Sequence, residues 1–205
     1  VFLDGAPLNI GWDNRIDLSM IPANVLGDIT LERGALSAAY GPNVSGGAVS
    51  LHSRSLLASG TIHEATIQLG HPGSWQSRLM AARRKGKTSI LVGGTVSKSD
   101  GFRVSDSARL PFSQNGSIRT NSDRSSATIY ARLDREAKMG SFGVTLLHAS
   151  SAKGVSPEGH LDPTIESIRY WRYPVWRNSM AIFNAVKSNW PVHLFTTIWI
   201  SRFQQ

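Results

Sequence analysis

The chain has 205 residues, of which 40% are hydrophobic and 18% are charged, and it contains no cysteine. This composition is typical of a folded protein, and it excludes a disulfide framework and a thiolate metal site. The sequence has no run of 18 or more apolar residues, which excludes a transmembrane helix. The net charge of +8 is uneven, because residues 1–54 carry −2 and the rest of the chain carries +10.

The basic excess lies in predicted turns and loops rather than along a helix. One group of cations falls at 83–87, and a group of arginines falls at 103–124. A basic excess is compatible with nucleic acid, anionic lipid or an anionic ligand. Neither a basic helix nor a zinc-finger spacing accompanies these residues, so no nucleic-acid partner is expected.

The first 54 residues predict a mixture of short elements. Residues 1–3 form a strand that turns at Asp4 and Gly5, because Asp-Gly is a strong turn signal. A short helix begins at Pro22 and ends at Gly27, and a strand follows over 28–32. A helical turn over 35–39, a corner at 40–42 and a strand over 46–51 complete this part. A polar crossing then spans 52–60.

Beyond residue 60 the apolar residues recur at every second position, which predicts β-strands. In 126–134, for example, Ala127, Ile129, Ala131 and Leu133 share one face, and the polar residues share the other. Similar patterns predict strands over 61–69, 89–97, 141–149, 176–187 and 192–200, with a further strand between 75 and 83. Short connections at 71–74, 84–87 and 136–140 contrast with long ones at 98–124 and 151–174.

The predicted strands have about the nine to eleven residues that a tilted strand needs to cross a bilayer. Short turns at one end and long loops at the other are typical of a transmembrane β-barrel. The outward face is only weakly apolar, however, because many of its residues are Ala and Gly. Periodicity alone therefore fits a membrane barrel and a soluble β-sandwich equally well.

Four spaced motifs in the first 51 residues carry a family resemblance. They are DGAPL at 4–8, IP at 21–22, ITLERGALSAAYG at 29–41 and SGGAVSL at 45–51. In order and spacing they resemble the C-terminal part of the plug domain of TonB-dependent outer-membrane receptors. The departures are mild: Thr30 replaces a common acidic residue, Ala35 a common proline, and Ser50 with Leu51 the usual Asn-Ile.

The resemblance implies a mainly β fold in two parts. Residues 1–54 would be the C-terminal part of an α+β plug domain, and residues 55–205 would be the first seven or so antiparallel strands of a 22-stranded transmembrane β-barrel. The chain opens and closes within strand-like segments, so we expect a fragment. An open seven-stranded sheet has two unpaired edges and a bare lipid face, so we expect the fragment not to fold stably alone.

The same resemblance implies function and location. The protein would sit in the outer membrane of a Gram-negative type of cell, in contact with lipid and lipopolysaccharide, and take up a scarce nutrient actively. A ferric siderophore or another iron chelate is the expected ligand. Energy would come from the inner-membrane TonB complex, whose docking segment would lie upstream of Val1. Connections 71–74, 98–124 and 151–174 would face outward, and 84–87, 136–140 and 188–191 would face the periplasm.

Three residues are candidates for contact between the plug and the barrel. Glu32 and Arg33 form the charged pair of the LERG string, and Tyr40 follows eight residues after Glu32. A local salt bridge, with Tyr40 packed inside the plug, is the alternative. Four glycines are expected to be structural, needed for a positive φ or a close backbone approach: Gly34, Gly41, Gly46 and Gly47.

Loop arginines and aromatics are the candidates for ligand binding. Arginine beside aromatic rings suits an anionic, ring-bearing ligand through charge and cation–π contact. The candidates are Arg103, Arg109, Arg119, Arg172 and Tyr173. The alternatives are arginine contacts with lipopolysaccharide phosphates and, for Trp176 in particular, an aromatic girdle at the bilayer interface.

Motifs for covalent chemistry are missing from the sequence. The six histidines show no HxxxH or HExxH spacing, and no GxSxG string or catalytic triad context occurs. We therefore expect no metal site, no cofactor and no enzymatic activity. A surface adhesin or other β-sheet binding module and a passive porin-like barrel remain open as alternative functions.

Overall fold

A computed structural model describes residues 1–9, 15–34, 40, 46–105, 107, 112, 114, 116–189 and 192–205. The fold is mainly β and contains a small four-stranded sheet and a large seven-stranded sheet. The strands of the small sheet lie within residues 2–53, and those of the large sheet lie within residues 60–204. No helix in the described residues is long and apolar enough to cross a membrane.

The small sheet is built from β1 (Phe2–Leu3), β2 (Ala6–Pro7), β3 (Leu26–Arg33) and β4 (Gly47–Ser53), in the order β2-β1-β4-β3. β1 and β2 form a hairpin whose two turn residues, Asp4 and Gly5, have φ angles of 47° and 84°. Two positive φ values in succession define the type I′ turn that Asp-Gly favours. The predicted first strand and turn are confirmed.

Two single-turn 3-10 helices, Leu18–Met20 and Ala23–Val25, precede β3. The second one begins at Ala23, one residue after the predicted start at Pro22, and it is short because Leu26 already pairs with Ser53 in the sheet. The prediction that Gly27 ends the helix is wrong. Gly27 lies at a bulge in β3, where an added Cβ would lie 3.0 Å from the Cα of Arg54. The predicted helical turn over 35–39 lies outside the described residues.

The large sheet is an antiparallel meander in which each strand pairs with the next along the chain. The seven predicted strands are confirmed, and they are longer than expected, at 11 to 18 residues. They are β5 (Gly60–Gly70), β6 (Ser74–Lys85), β7 (Thr88–Ser99), β8 (Arg124–Ala137), β9 (Gly140–Gly154), β10 (Arg172–Asn189) and β11 (Val192–Gln204).

Connections of very different length alternate between the two ends of this sheet. At one end, residues 86–87, 138–139 and 190–191 join successive strands. At the other end the connections are residues 71–73, 100–123 and 155–171. We call these the short-turn end and the long-loop end. The predicted alternation of short and long connections is confirmed.

The two faces of the large sheet have different surroundings. The inner face packs against the small sheet and the 3-10 helices. No described part of the chain packs against the outer face. The main core lies between the sheets: Leu3, Ala6, Val25 and Leu51 pack against large-sheet residues, namely Met80, Ala82, Leu91, Tyr130, Leu147, Met180 and Ile182. The inner face is therefore the surface that positions the small sheet.

We predict that Gly93→Ala destabilises the contact between the sheets. An added Cβ would lie 2.5 Å from Cγ1 of Val25 and 3.2 Å from the carbonyl oxygen of Leu79. Overpacking of this kind costs roughly 1–3 kcal/mol of unfolding free energy. Gly60→Ala is the control, since an added Cβ there meets no atom within 4 Å. Urea unfolding of both variants, made in the gene product that carries this chain, is the measurement, and equal stabilities would contradict the predicted close contact.

Candidate functional site between the two sheets

The tip of the β1–β2 hairpin places the Asp4 carboxylate against the inner face of the large sheet. Its Oδ2 lies 2.8 Å from Nη1 of Arg132 and accepts hydrogen bonds from Tyr130 and Thr145, each at 3.0 Å. Ser53, at the end of β4, donates from its backbone N–H at 2.9 Å and from its hydroxyl at 2.5 Å. The Asp4 side chain is only 6% exposed. Both sheets therefore contribute to one buried polar cluster, the Asp4 cluster.

The Asp4 cluster holds one cation between two carboxylates. Arg132 forms a forked hydrogen-bonded pair with Asp134, with its Nε 2.9 Å from Oδ2 and its Nη2 2.7 Å from Oδ1. Burial by itself would raise the pKa of Asp4. The Arg132 guanidinium and the hydrogen bonds from Ser53 and Thr145 outweigh that effect and leave the pKa of Asp4 below its ordinary value. Asp4 is therefore ionised at neutral pH.

The backbone of the hairpin tip also contacts the large sheet. Asn184 of β10 donates from Nδ2 to the Asp4 carbonyl oxygen at 2.9 Å and to the Thr197 hydroxyl at 3.1 Å. An added Cβ at Gly5 would lie 3.2 Å from the Thr197 hydroxyl oxygen, so little room is left there. The turn thus fits between β10 and β11 through its main chain as well as through the Asp4 side chain.

A second ion pair joins the sheets nearer the long-loop end. Asp17 caps the first 3-10 helix by accepting from the Ser19 backbone at 3.1 Å, and its Oδ2 lies 2.7 Å from Nζ of Lys153 in β9. Burial by itself would raise the pKa of Asp17. The hydrogen bonds from Lys153 and Ser19 outweigh burial, so the pKa of Asp17 lies below its ordinary value. Lys153 Nζ also lies 4.7 Å from the Trp176 ring centroid.

Trp176 lies on the inner face, and this corrects its expected place in an aromatic girdle. The ring is only 4% exposed and makes edge-to-face contacts with Tyr173 and Phe203, at centroid distances of 5.2 and 5.1 Å. Trp176 has the same unbroken register as Met180 and Ile182, so alternation along β10 puts all three on the inner face, and the register shift before Trp176 brings Tyr173 to this face as well. Arg15 donates to the Tyr173 hydroxyl at 2.9 Å.

Further hydrogen bonds fix the two 3-10 helices to the large sheet. The Thr128 hydroxyl donates to the Met20 carbonyl oxygen at 2.9 Å, and Asn24 Nδ2 donates to the Leu79 carbonyl oxygen at 3.0 Å. After β4, Arg54 forms an ion pair with Glu64 of β5. The interface between the sheets is therefore a ring of polar contacts around an apolar core.

The three predicted plug–barrel residues lie outside the Asp4 cluster. Glu32 and Arg33 are in β3, the edge strand of the small sheet, and the Tyr40 hydroxyl donates to Glu32 Oε1 at 2.5 Å. This hydrogen bond, followed by loss of hydration, raises the pKa of Tyr40. Tyr40 also stacks edge-to-face on Phe2, with centroids 5.3 Å apart. Within the described residues, neither Glu32 nor Arg33 forms an ion pair with the large sheet, so their proposed role stays a prediction.

Only some of the four predicted structural glycines have a backbone conformation or a close contact that requires glycine. Gly34 and Gly47 have φ angles of 100° and 138°, and an added Cβ at Gly47 would collide with the Glu32 carbonyl oxygen. Both positions favour glycine. Gly46 has neither a positive φ nor a neighbouring atom within 4 Å of an added Cβ. Gly41 lies outside the described residues.

Two of the predicted ligand-binding arginines contact other loop residues. Arg103 Nη2 lies 2.8 Å from His71 Nε2, which joins connections 71–73 and 100–123. Arg119 is buried, donates to Gln114 Oε1 at 2.9 Å and also contacts the Pro157 carbonyl oxygen. Arg109 lies outside the described residues.

Arg172 and Tyr173 lie where the two long loops meet the strands. Arg172 pairs with Asp123 and donates to Asn121 Oδ1 at 3.1 Å. Asn121, with a φ of 54°, donates from its side-chain amide to the carbonyl oxygens of Val155 at 2.9 Å and Trp171 at 2.7 Å. Arg119 and Arg172 therefore hold the two long loops together at their bases. A ligand could still contact the exposed parts of Arg103 and Arg172.

Sequence reasoning missed Asp4, Arg132, Asp17 and Lys153 as interface residues. One signal was present: Tyr130, Arg132 and Asp134 alternate on the polar face of a predicted strand, so charges were expected on that face. The partner of Arg132 is 128 residues away in the sequence, and no local pattern identifies it. Asp4 was assigned only a turn role.

The described residues contain no group of three or more histidine, aspartate or glutamate side chains placed to hold a metal ion. The chain matches no protein-family model, and no curated protein is significantly similar to it. What the site does must therefore be argued from its own geometry.

We predict that Asp4→Asn loosens the small sheet from the large one. The substitution keeps the side-chain volume but leaves Arg132 with one carboxylate partner instead of two. Removing one partner of a buried pair costs up to about 5 kcal/mol, and the remaining Asp134 contact reduces this to about 2–4 kcal/mol. Hydrogen exchange of the β1 and β4 amides measures the opening free energy.

The control for that experiment is Asp28→Asn, in a residue whose side chain is 70% exposed and lies 4.0 Å from His52. It should change the same opening free energy by no more than about 0.5 kcal/mol. Equal effects of the two substitutions would contradict the assigned role of Asp4.

The lowered pKa values of Asp4 and Asp17 predict a loss of stability in acid. Their stabilising effect is complete above the ordinary carboxyl pKa of 3.8 and is lost as the pH falls from there through the lowered values. Urea unfolding of the gene product that carries this chain, between neutral pH and pH ~3, should show a steeper acid decline for the native protein than for the Asp4→Asn, Asp17→Asn double variant. Parallel declines would contradict the prediction.

Proposed function

We propose that this chain forms the junction between plug and barrel of a TonB-dependent receptor, which takes up a scarce nutrient across the outer membrane. An iron chelate is the expected ligand. The proposal combines the motif resemblance of residues 1–54 with the arrangement of the two sheets. The observation that carries it is the polarity of the large sheet, whose outer face exposes many large apolar side chains while its covered inner face mixes apolar with polar ones.

The outer face of the large sheet is a continuous apolar surface. Leu79, Ile129 and Ile200 are 60%, 64% and 73% exposed. Other large apolar residues on this face are also exposed: Ile67, Leu69, Ile90, Val92, Val96, Leu133, Phe142, Leu146, Phe183, Leu194 and Ile198. The largest apolar patch of a typical soluble monomer is a few hundred Å². A face of this kind across seven strands fits the hydrocarbon of a bilayer.

Cations bound the apolar face at both ends. Arg83, Lys85, Arg135 and Lys187 lie at the short-turn end, and Lys98, Arg177 and Arg202 lie at the long-loop end. No described strand places an Asp or Glu on this face. Arg177 and Lys187 are ten residues apart on β10. Ten residues span roughly 33 Å along a strand, or about 25 Å of height at the usual tilt, which is the height of the apolar band in outer-membrane barrels.

The inner face is covered instead, and it carries small polar residues beside its apolar core residues. Ser89, Thr95, Thr128, Thr145 and Ser151 are all buried there, beneath the small sheet and its helices. A passive porin needs a water-filled lumen, whereas here the small sheet fills the space beside the inner face. The arrangement therefore favours a plugged transporter over a porin-like channel.

Transport through such a barrel requires the small sheet to shift or partly unfold. The contacts that hold it are ion pairs and hydrogen bonds around a modest apolar core, as the Asp4 cluster and the Asp17–Lys153 pair show. Polar groups that separate into a water-filled lumen regain hydration, which offsets part of the cost of opening. Mechanical energy from the inner membrane would supply the remainder.

Growth under iron limitation tests the proposed activity. A strain that lacks the gene should lose growth on at least one ferric chelate of a panel, and the native gene should restore it. Uptake should stop when a protonophore removes the energy of the inner membrane. Uptake that persists with the protonophore would indicate a passive channel. Ligand binding without any uptake would indicate a surface binding protein.

We predict that a disulfide between Val25→Cys and Gly93→Cys blocks uptake while ligand binding remains. An added Cβ at Gly93 lies 2.5 Å from Cγ1 of Val25, so the two Cβ atoms are close enough for a disulfide, and these 205 residues contain no other cysteine. Reduction should restore transport. The single-cysteine variants are the controls, and full uptake by the oxidised double variant would contradict a moving small sheet.

A further inference from the structure

Two adjoining grooves cross the outer face of the large sheet. The first, of about 490 Å³, is lined by Leu146, Ser179, Ala181, Ile200 and Arg202 among others. The second, of about 900 Å³, extends toward β5. Ile129, Ala131 and His148 line both, so the two grooves form one continuous depression.

Small residues form the floor of this depression and larger apolar ones form its sides. Gly94 pairs with both Leu79 and Ile129 and lies between them, and Ala65 and Ala127 line the same groove. An added Cβ at Gly94 would lie 2.8 Å from the Thr128 carbonyl oxygen, so the backbone itself is the surface there. An apolar depression that crosses several strands suits a hydrocarbon chain.

The end of the first groove nearest the long loops is cationic and polar. Arg202 lines it, and Arg177 lies diagonally across the strand pair, because Arg202 is opposite Ser179 and Arg177 is opposite Gln204. Diagonal neighbours on one face are roughly 7–8 Å apart, close enough for two guanidinium groups to contact one phosphate.

Neutral hydrogen-bonding groups accompany the two arginines. His148 Nδ1 lies 2.8 Å from the Ser179 hydroxyl oxygen, and Arg177 donates to Gln204 Oε1 at 3.4 Å. Among the described residues no carboxylate pairs with Arg177 or Arg202, and the outer-face positions of the strands carry none. The positive charge at this end is therefore available to an anion.

We propose that this depression binds one lipid whose headgroup carries a phosphate. Arg177 and Arg202 contact the phosphate, and an acyl chain lies along the grooves past Ile129 and Gly94. The inference rests on the proposed function in one respect, which is that the outer face lies in a bilayer. It adds a defined site for an anionic lipid on β9, β10 and β11.

Site-specific photo-crosslinking tests this site. The complete gene product that carries this chain is placed in phosphatidylcholine bilayers containing a minor fraction of phosphatidylglycerol. The photoreactive residue p-benzoylphenylalanine replaces Ile200 in the groove or, as the control position, Ile67, which is 75% exposed on the outer face of β5. Mass spectrometry of the adducts identifies the lipid at each position.

Phosphatidylglycerol should be enriched at Ile200 by roughly tenfold or more over its share of the bilayer, since each basic residue favours an anionic lipid by about a factor of five. Adducts at Ile67 should follow the bilayer composition. The enrichment should be lost in the Arg177→Gln, Arg202→Gln variant. It should persist in the Arg83→Gln, Arg135→Gln variant, which removes the same charge from the short-turn end.

Three results would overturn the inference. Adducts that follow the bilayer composition at both positions would remove the lipid site and leave the membrane location intact. Equal loss of enrichment in both double variants would show that the enrichment comes from the overall positive charge and not from a site at Arg177 and Arg202. Adducts only to protein at Ile200, with no lipid at either position, would overturn the lipid site and the proposed membrane function together.

Discussion

The large sheet needs a different medium on each of its faces, and the rest of the structure depends on that constraint. Its strands alternate between apolar side chains that are exposed and apolar or polar side chains that are buried, as Ile129 and its neighbour Thr128 illustrate. In water this arrangement would leave apolar area uncovered on seven strands. The proposed function provides for both faces, with a bilayer outside and the small sheet inside.

The small sheet meets the inner face through charge as much as through apolar packing. Arg132 of β8 forms ion pairs with Asp4 of the small sheet and with Asp134 of its own strand. A buried ion pair adds little stability compared with well-packed apolar groups, but it penalises incorrect pairing strongly. The cluster therefore fixes where the hairpin tip sits while leaving an interface that rehydrates when it opens. Both properties suit a domain that has to be held in place and later displaced.

The long loops form a separate structural unit at the other end of the sheet. Asn121 and Arg172 join the bases of connections 100–123 and 155–171, and Arg119 reaches Pro157. The arginines that resembled ligand contacts in the sequence thus also hold the loops in position. A binding surface built on loops with fixed bases needs less ordering when a ligand arrives.

Local patterns were sufficient to predict the strands, the alternation of loop lengths and the hairpin turn. Period-two alternation specifies each face, and Asp-Gly specifies the turn at Asp4. Packing of one sheet on the other was not predictable, because the contact of Asp4 with Arg132 depends on how two sheets meet in space. Trp176 was misplaced for another reason: it shares a face with Met180 and Ile182, but residues 180–183 are all apolar, so the sequence pattern does not show which face of β10 is covered.

Spin-label accessibility along β8 tests the central claim most directly. Residues 127–133 would be replaced by cysteine one at a time in the gene product that carries this chain, labelled, and measured in lipid bilayers. The account predicts strict alternation, with collisions with oxygen high at Ala127, Ile129, Ala131 and Leu133, and low at Thr128, Tyr130 and Arg132. High accessibility of Ile129 to a water-soluble nickel complex, or no alternation along the strand, would contradict a sheet that separates lipid from an inserted domain.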